Sequence, residues 1–201
     1  IILRKRIRKL NIWIFICTFI GASLFTLAVD FVFENVLEPH QKDRIEVLLG
    51  KKEDFKGVGY NVNQSKIAIG SGGVLGKGFL NGTQTKFNFV PEQDTDFIFC
   101  TIGEEWGFIG SSLTIILFIV LCTKLIKMAE RQRSKFARIY GYSVASIIFF
   151  HFFVNIGMTI GLLPVIGIPL PCISYGGSSL WAFTFLLFIF IKQDALRQEL
   201  I

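Results

Sequence analysis

Residues 106–126 read WGFIGSSLTIILFIVLCTKLI, an apolar run whose single charge, Lys124, stands near its far end. Crossing the hydrocarbon core of a bilayer takes about 20 predominantly apolar residues in a helix, and this run is long enough. In water it would be an aggregation site; in lipid it closes its own backbone hydrogen bonds as a helix. Three other runs, at about 10–33, 140–163 and 173–191, have the same character. The expected fold class is therefore all-α integral membrane. Four transmembrane helices are expected, with a long loop of about 37–105 between the first and second. Composition agrees: 52% of the 201 residues are hydrophobic, 18% are charged, 22 are Phe and the mean hydropathy is +0.56. A soluble domain of this size needs more polar surface.

The placement of charge sets the orientation. The net charge of +6 does not form a nucleic-acid stripe, so no nucleic-acid partner is expected. Arg4, Lys5, Arg6, Arg8 and Lys9 precede the first span, and Lys124, Lys127, Arg131, Arg133, Lys135 and Arg138 join the second to the third. The short tail carries Lys192 and Arg197. The positive-inside rule puts these segments in the cytoplasm, with both termini. The 37–105 loop then faces outward; its eight Lys or Arg against ten Asp or Glu show no positive excess. Trp13, Trp106 and Trp181 fall near span ends, as in an interfacial belt. The basic start leads into a full-length span, so no cleavable signal peptide is expected. Ile1 in place of Met leads to the expectation that the sequence starts at a cut or processing point. Cys17, Cys100, Cys122 and Cys172 form no CxxC pair, which argues against a zinc site or disulfide framework.

Within the third span, Gly157 and Gly161 have a GxxxG spacing that lets helix backbones approach. His151 and Asn155 share a helix face and are expected to hydrogen-bond to neighbouring helices. The next stretch, GIPLPCISYGGSS at 167–179, cannot be helical through Pro169 and Pro171. Such backbone at membrane depth must be buried in protein or line a wet cavity. Four helices carrying so long a polar loop would make a thin bundle. Further helices, from a preceding segment or from other subunits, are expected in the working protein.

The loop contains GVGYNVNQSKIAIGSGGVLGKGFLNGTQTKFNF at 57–89. This glycine-rich composition suits backbone packed against a ligand or another helix, and equally a merely structural loop. Gly76-Lys77 is not a nucleotide-binding P-loop, because Ser71 and Gly78 stand where that motif needs Gly and Ser or Thr. Asn63 and Asn81 open glycosylation-like triplets of a kind common by chance. Next comes VPEQDTDFIFCTIGEEWGF at 90–108. Here Thr95 is read as a helix cap and Asp96 as a carboxylate in the first helical turn, at the membrane rim. Asp96 could act as a general base, hold a divalent cation, or only stabilise the helix start. Of Glu104 and Glu105, near the outer interface, at least one is expected to be solvated.

Together these runs resemble the SEDS family (shape, elongation, division and sporulation proteins), in its RodA-like branch. The similar stretches are PHQKDRI at 39–45, GYNVNQSKIAIGSGGVLGKGFLNGTQ at 59–84, PEQDTDFIF at 91–99 followed by GEEWGFIG, and NIGMTIGLLPVIGIPLPCISYGGSS at 155–179. The GIPLP wording is closer to RodA than to its division counterpart FtsW. The resemblance implies a ten-helix membrane protein of which this chain carries the last four helices, lacking roughly the first six.

It also implies a peptidoglycan glycosyltransferase of the bacterial cytoplasmic membrane, serving cell elongation and rod shape. Its substrate would be lipid II, and its partners a class B penicillin-binding protein and other rod-complex membrane proteins. The family's essential aspartate falls on Asp96. The leaving pyrophosphate needs positive charge or a metal. Lys66, Lys77 and Lys86 are the candidate cations, and Gly70, Gly72 and Gly73 a candidate amide nest. Gln84 is a further candidate substrate contact, and Mg or Mn at Asp96 the candidate cofactor. Two other readings remain open: a lipid II transporter, and a non-catalytic scaffold that packs through Gly157 and Gly161.

Overall fold

A computed structural model describes residues 2–50 and 57–196. The charges at Lys51, Lys52, Glu53, Asp54 and Lys56 and the tail Arg197 lie outside the described residues. Among the described residues all regular structure is helical. A boundary between Glu46 and Val47 divides the chain into two compact units.

The first unit is α1 (Ile2–Asn35), whose segment Cys17–Asn35 is long and apolar enough to span a membrane, and most of α2 (Pro39–Leu48). Large apolar side chains of α1, among them Phe15, Phe19 and Phe25, are exposed, as lipid-facing side chains are. α2 opens with Pro39 at its first position, where the missing N–H costs nothing. The Gln41 side chain accepts from the backbone N–H of Glu38 at 3.2 Å, half of a capping box.

The second unit is built on three spans, α5 (Ile98–Glu130), α6 (Lys135–Thr159) and α7 (Gly177–Leu196), with α3 (Val58–Gly72) and the single turn α4 (Thr83–Lys86) packed onto α5. Its core lies between α5, α6 and α7: Phe118 stacks on Phe152 at 4.8 Å, and Val144, Ile148, Phe183 and Phe190 are buried around them. Lipid tails are as apolar as these side chains, so close van der Waals fit must hold the helices together. Gly141 supplies it, since a Cβ there would come within 2.4 Å of Phe190 and 2.8 Å of Ala129. At the far end of α5, Arg131 and Gln132 both donate to Asp194 of α7, Gln132 at 2.7 Å.

The four expected spans are present, but their ends shift, each for a backbone reason. α5 starts at Ile98, eight residues before the expected start, and is interrupted at Gly107 (φ 62°, ψ −156°). That break removes two helix bonds, from the N–H of Phe108 to Glu104 and of Ile109 to Glu105. All four freed groups find partners in one strap, residues 73–78. Lys77 and Gly78 donate to the carbonyls of Glu104 and Glu105, while Phe108 and Ile109 donate to those of Gly73 and Val74, at 2.9–3.2 Å. The exchange meets the requirement that buried backbone groups be paired. α6 ends at Thr159 and not Leu163, because Gly161 turns left-handed (φ 74°). Leu162 donates to Gly157 at 2.7 Å and Gly161 to Met158 at 3.1 Å, the paired bonds of a Schellman motif. The GxxxG spacing is therefore not a helix-packing face: a Cβ at Gly161 would meet Lys66, and one at Gly157 would meet Leu163. α7 begins at Gly177, after a non-helical stretch holding Pro169, Pro171 and left-handed Gly167 and Cys172. All four cysteines are free.

The long connection is more ordered than a loop, with α2, α3 and α4 inside it. α3 places Ser65 and Ala68 in the interior, and Ser65 donates to the Thr159 carbonyl at 2.9 Å.

Candidate active site

Pro91 to Phe97 form a tight turn before α5. The amides of Thr95, Asp96 and Phe97 all point at one acceptor, the Glu92 carbonyl, at 3.1–3.3 Å. Phe97 is the N-cap residue, so Asp96 stands just outside the helix rather than in its first turn. Thr95 is not the cap either; its hydroxyl donates to Glu92.

With its amides spent on Glu92, the turn presents the carbonyls of Asp94, Thr95 and Asp96 outward. Each is taken by the broken segment after α6 or by α6 itself. The Tyr175 N–H donates to Asp94 at 2.8 Å, the Ser174 hydroxyl to Thr95 at 2.6 Å, and the Asn155 side chain to Asp96 at 2.8 Å. Asn155 donates its second amide hydrogen to Ile168 at 2.8 Å. His151, one helical turn away, lies 3.4 Å from the Pro169 carbonyl. Both residues thus bond to non-helical backbone, not to neighbouring helices.

The Asp96 carboxylate has no hydrogen bond or ion pair among the described residues, although Asp96 is half-buried. Burial pushes its carboxyl above the ordinary aspartate range, and the charge of Glu92 adds in the same direction. Its Oδ2 lies over Gly167, 3.1 Å from where a Cβ would stand. A cavity of about 260 Å³ opens beside the turn, lined by Glu92, Asp94, Thr95 and Tyr175 among others. Asp96 itself is not among the residues lining that cavity; a partly desolvated, unpaired carboxylate can accept a proton from a hydroxyl that reaches it. Among the described residues, no group of three or more His, Cys, Asp or Glu could hold a metal ion. A Mg or Mn ion at Asp96 would therefore draw its other ligands from substrate phosphates and water, a common arrangement for Mg.

Glu104 is the opposite case. It is fully buried in α5, and its Oε1 receives the Lys77 ammonium at 2.7 Å, the Gln84 N–H at 2.9 Å and the Thr83 hydroxyl at 3.3 Å. Its Oε2 receives the Thr85 N–H at 2.9 Å. Gly82 leaves room for this approach, since a Cβ there would come within 2.7 Å of Oε2. Neither Glu104 nor Glu105 is solvated, contrary to the expectation for the pair.

The expected cations separate accordingly. Lys77 is spent on Glu104. Lys66 is exposed, has no ion pair among the described residues, and lays the end of its side chain over Gly161. Lys86 is exposed on α4. Gln84 touches Glu104 through its backbone. Two of the three candidate nest glycines lie inside a helix. Gly70 and Gly72 lie in the last turn of α3, where amides serve the helix ladder and the dipole disfavours anions. At Gly72 a Cβ would come within 2.1 Å of the Gly103 carbonyl, so this glycine serves the close approach of α3 to α5. The residues that bring the site together, Asn155, Ser174 and Tyr175, lie in the resembling stretch at 155–179; of these only Asn155 is marked by sequence as a hydrogen-bonding residue, and with a different partner.

Comparison with known proteins agrees with this architecture. The chain is 46% identical over 163 residues to the peptidoglycan glycosyltransferase MrdB of Escherichia coli K12, covering 80% of this chain and 44% of MrdB. It is 37% identical over 174 residues to the peptidoglycan glycosyltransferase RodA of Treponema pallidum, covering 87% and 40%. A solved chain from a peptidoglycan synthase complex that coordinates polymerization and crosslinking is similar with a TM-score of 0.69 and 27% identity, over 89% of this chain and 48% of that one. The chain thus spans less than half the length of these relatives. Residues 7–198 match the FtsW/RodA/SpoVE family of cell cycle proteins, and the chain is a RodA-like, multi-pass membrane member of that family.

Proposed function

We propose that this chain is the catalytic C-terminal part of a peptidoglycan glycosyltransferase that polymerises lipid II at the outer face of the bacterial cytoplasmic membrane. The observation that carries the reading is the Asp96 carboxylate: half-buried, without a hydrogen bond or ion pair among the described residues, and held at the entry of a membrane-spanning helix. A lipid-linked substrate needs such a site at the membrane surface. The positive-inside asymmetry supports an outward-facing site, with both termini of this chain in the cytoplasm.

In the reaction, a sugar hydroxyl of one lipid II unit attacks the anomeric carbon of another. Asp96 accepts the hydroxyl proton as the glycosidic bond forms, and the bond to undecaprenyl pyrophosphate breaks with its electrons on the departing phosphate. Lys66 and Lys86, both exposed and without an ion pair among the described residues, are the candidate cations to meet that charge. A divalent ion held at Asp96 would supply the same neutralisation. The similarity to a chain of a synthase complex supports a crosslinking partner, which we assign as a class B penicillin-binding protein within a rod complex.

The test is polymerisation of lipid II by the whole gene product, parent against Asp96→Asn, with and without Mg or Mn. Loss of a general base costs about 10²–10⁴-fold, so polymer should fall to background in the variant. Equal polymer from both would move the catalytic residue elsewhere. Movement of lipid II across vesicles without polymer from either protein would favour the transporter reading.

A further inference from the structure

We infer that Asn155 and Ser174 are positioning residues for Asp96, fixing where its carboxylate stands by clamping the Thr95 and Asp96 carbonyls to the segment between α6 and α7. The inference rests on the glycosyltransferase reading for its kinetic consequence, but not for its geometry.

The turn cannot hold itself against that segment. Its amides converge on the Glu92 carbonyl, which leaves three carbonyls that only outside donors can fix. Asn155 commits both amide hydrogens here, one to Asp96 and one to Ile168, each at 2.8 Å. It is completely buried, and its Oδ1 has no partner among the described residues. An unsatisfied buried oxygen is costly; an apolar residue would avoid that cost if the position only filled space. Ser174 uses one hydroxyl twice, donating to Thr95 at 2.6 Å and accepting from the Leu170 N–H at 2.8 Å.

The two tie points on the segment, Ile168 and Leu170, stand just beyond Gly167, the residue beneath the Asp96 carboxylate. The same bonds that hold the turn therefore hold the floor against which the carboxylate rests. If they are lost, the turn and floor can part while the helices stay packed. Substrate should still bind, and the reacting group should be misplaced.

The experiment compares the whole gene product with Ser174→Ala, Ser174→Thr and Asn155→Leu, measuring lipid II polymerisation kinetics and hydrogen exchange of residues 94–97. A misplacement of about 1 Å costs about 10²-fold in rate. Ser174→Ala and Asn155→Leu should therefore lose about 10–100-fold in kcat with KM within about threefold, the mark of a transition-state effect. Ser174→Thr, which keeps the hydroxyl, should recover most of the rate. Exchange at 94–97 should quicken in Ser174→Ala and Asn155→Leu, and stay near the parent's in Ser174→Thr. Unchanged kcat in Ser174→Ala, or equal loss in Ser174→Thr with native exchange, would overturn the inference. Should Asn155→Leu fail to fold, the Ser174 pair decides alone. Should the parent make no polymer, the glycosyltransferase reading falls, and unchanged exchange at 94–97 in Ser174→Ala would overturn the clamp separately.

Discussion

Asp96 and Glu104 flank the start of the same membrane-spanning helix and share a charge type, yet their surroundings are opposite. Around Glu104 each oxygen is answered by a cation, a hydroxyl or an N–H, and the side chain is fully buried. Around Asp96 the backbone is answered and the carboxylate is not. An acid at membrane depth must be paired or functional. The Glu104 carboxylate is used to build the fold, fastening α4 and the strap to α5; the Asp96 carboxylate is left unpaired among the described residues, as the proposed reaction requires.

The comparison can be broken most severely at Glu104. Glu104→Gln leaves Lys77 with no carboxylate, and breaking a buried pair costs on the order of 3–5 kcal/mol. Thermal unfolding in detergent should show a fall of several degrees or failure to accumulate; a native melting curve would show that the cluster is not structural. A smaller loss is expected from Gly107→Ala. The left-handed backbone there costs a non-glycine residue about 1–3 kcal/mol, and a Cβ would come within 2.3 Å of the Gly76 nitrogen. Gly70→Ala serves as its control. Nothing lies within 4 Å of a Cβ at Gly70, so the same assay should show no loss, or a gain of about 0.5–1 kcal/mol from helix propensity. A drop in polymer with Gly70→Ala would revive the anion-nest reading.

The smallest effect sharpens the comparison from the Asp96 side. Its carboxyl is held above the ordinary range, so the native state binds the proton more tightly than the unfolded chain does. As pH rises from the unfolded value of about 3.9 through the raised native value, the fold loses stability from this group. Asp96→Asn should therefore be slightly more stable than the parent at neutral pH, with the difference vanishing in acid. Glu104→Gln should never show this pattern. Parallel melting curves for the parent and Asp96→Asn at all pH values would contradict the raised value.

The four spans were legible because lipid forces each crossing segment to close its own hydrogen bonds, and long apolar runs are the mark of that. Their ends were less legible because they depend on partners distant in sequence. The break at Gly107 is tolerated only because residues 73–78 lend it four backbone groups. α3 was hidden by composition: Gly59, Gly70 and Gly72 weaken helix propensity, and its stability comes from packing on α5. Asp96 stands out in the sequence as a carboxylate at a helix start on the membrane rim, and the resemblance to a family motif favours a catalytic role for it; neither signal carries the geometry of the turn. Lys77 is one of three candidate cations by sequence, and its pairing is hidden there because Glu104 lies 27 residues away. A signal did exist: Glu104 enters an apolar helix, and an acid there calls for a nearby cation. Asn155 is legible as a hydrogen-bonding amide in an apolar span but not its partners, and Ser174 gives no signal, since a serine in a broken segment serves many purposes.

The most direct test of the central contrast is lipid II polymerisation per folded molecule, measured side by side for the parent, Asp96→Asn and Glu104→Gln. The account predicts no polymer from folded Asp96→Asn, and near-parental polymer from whatever fraction of Glu104→Gln folds. Polymer from Asp96→Asn together with none from folded Glu104→Gln would reverse the roles of the two carboxylates and contradict the account.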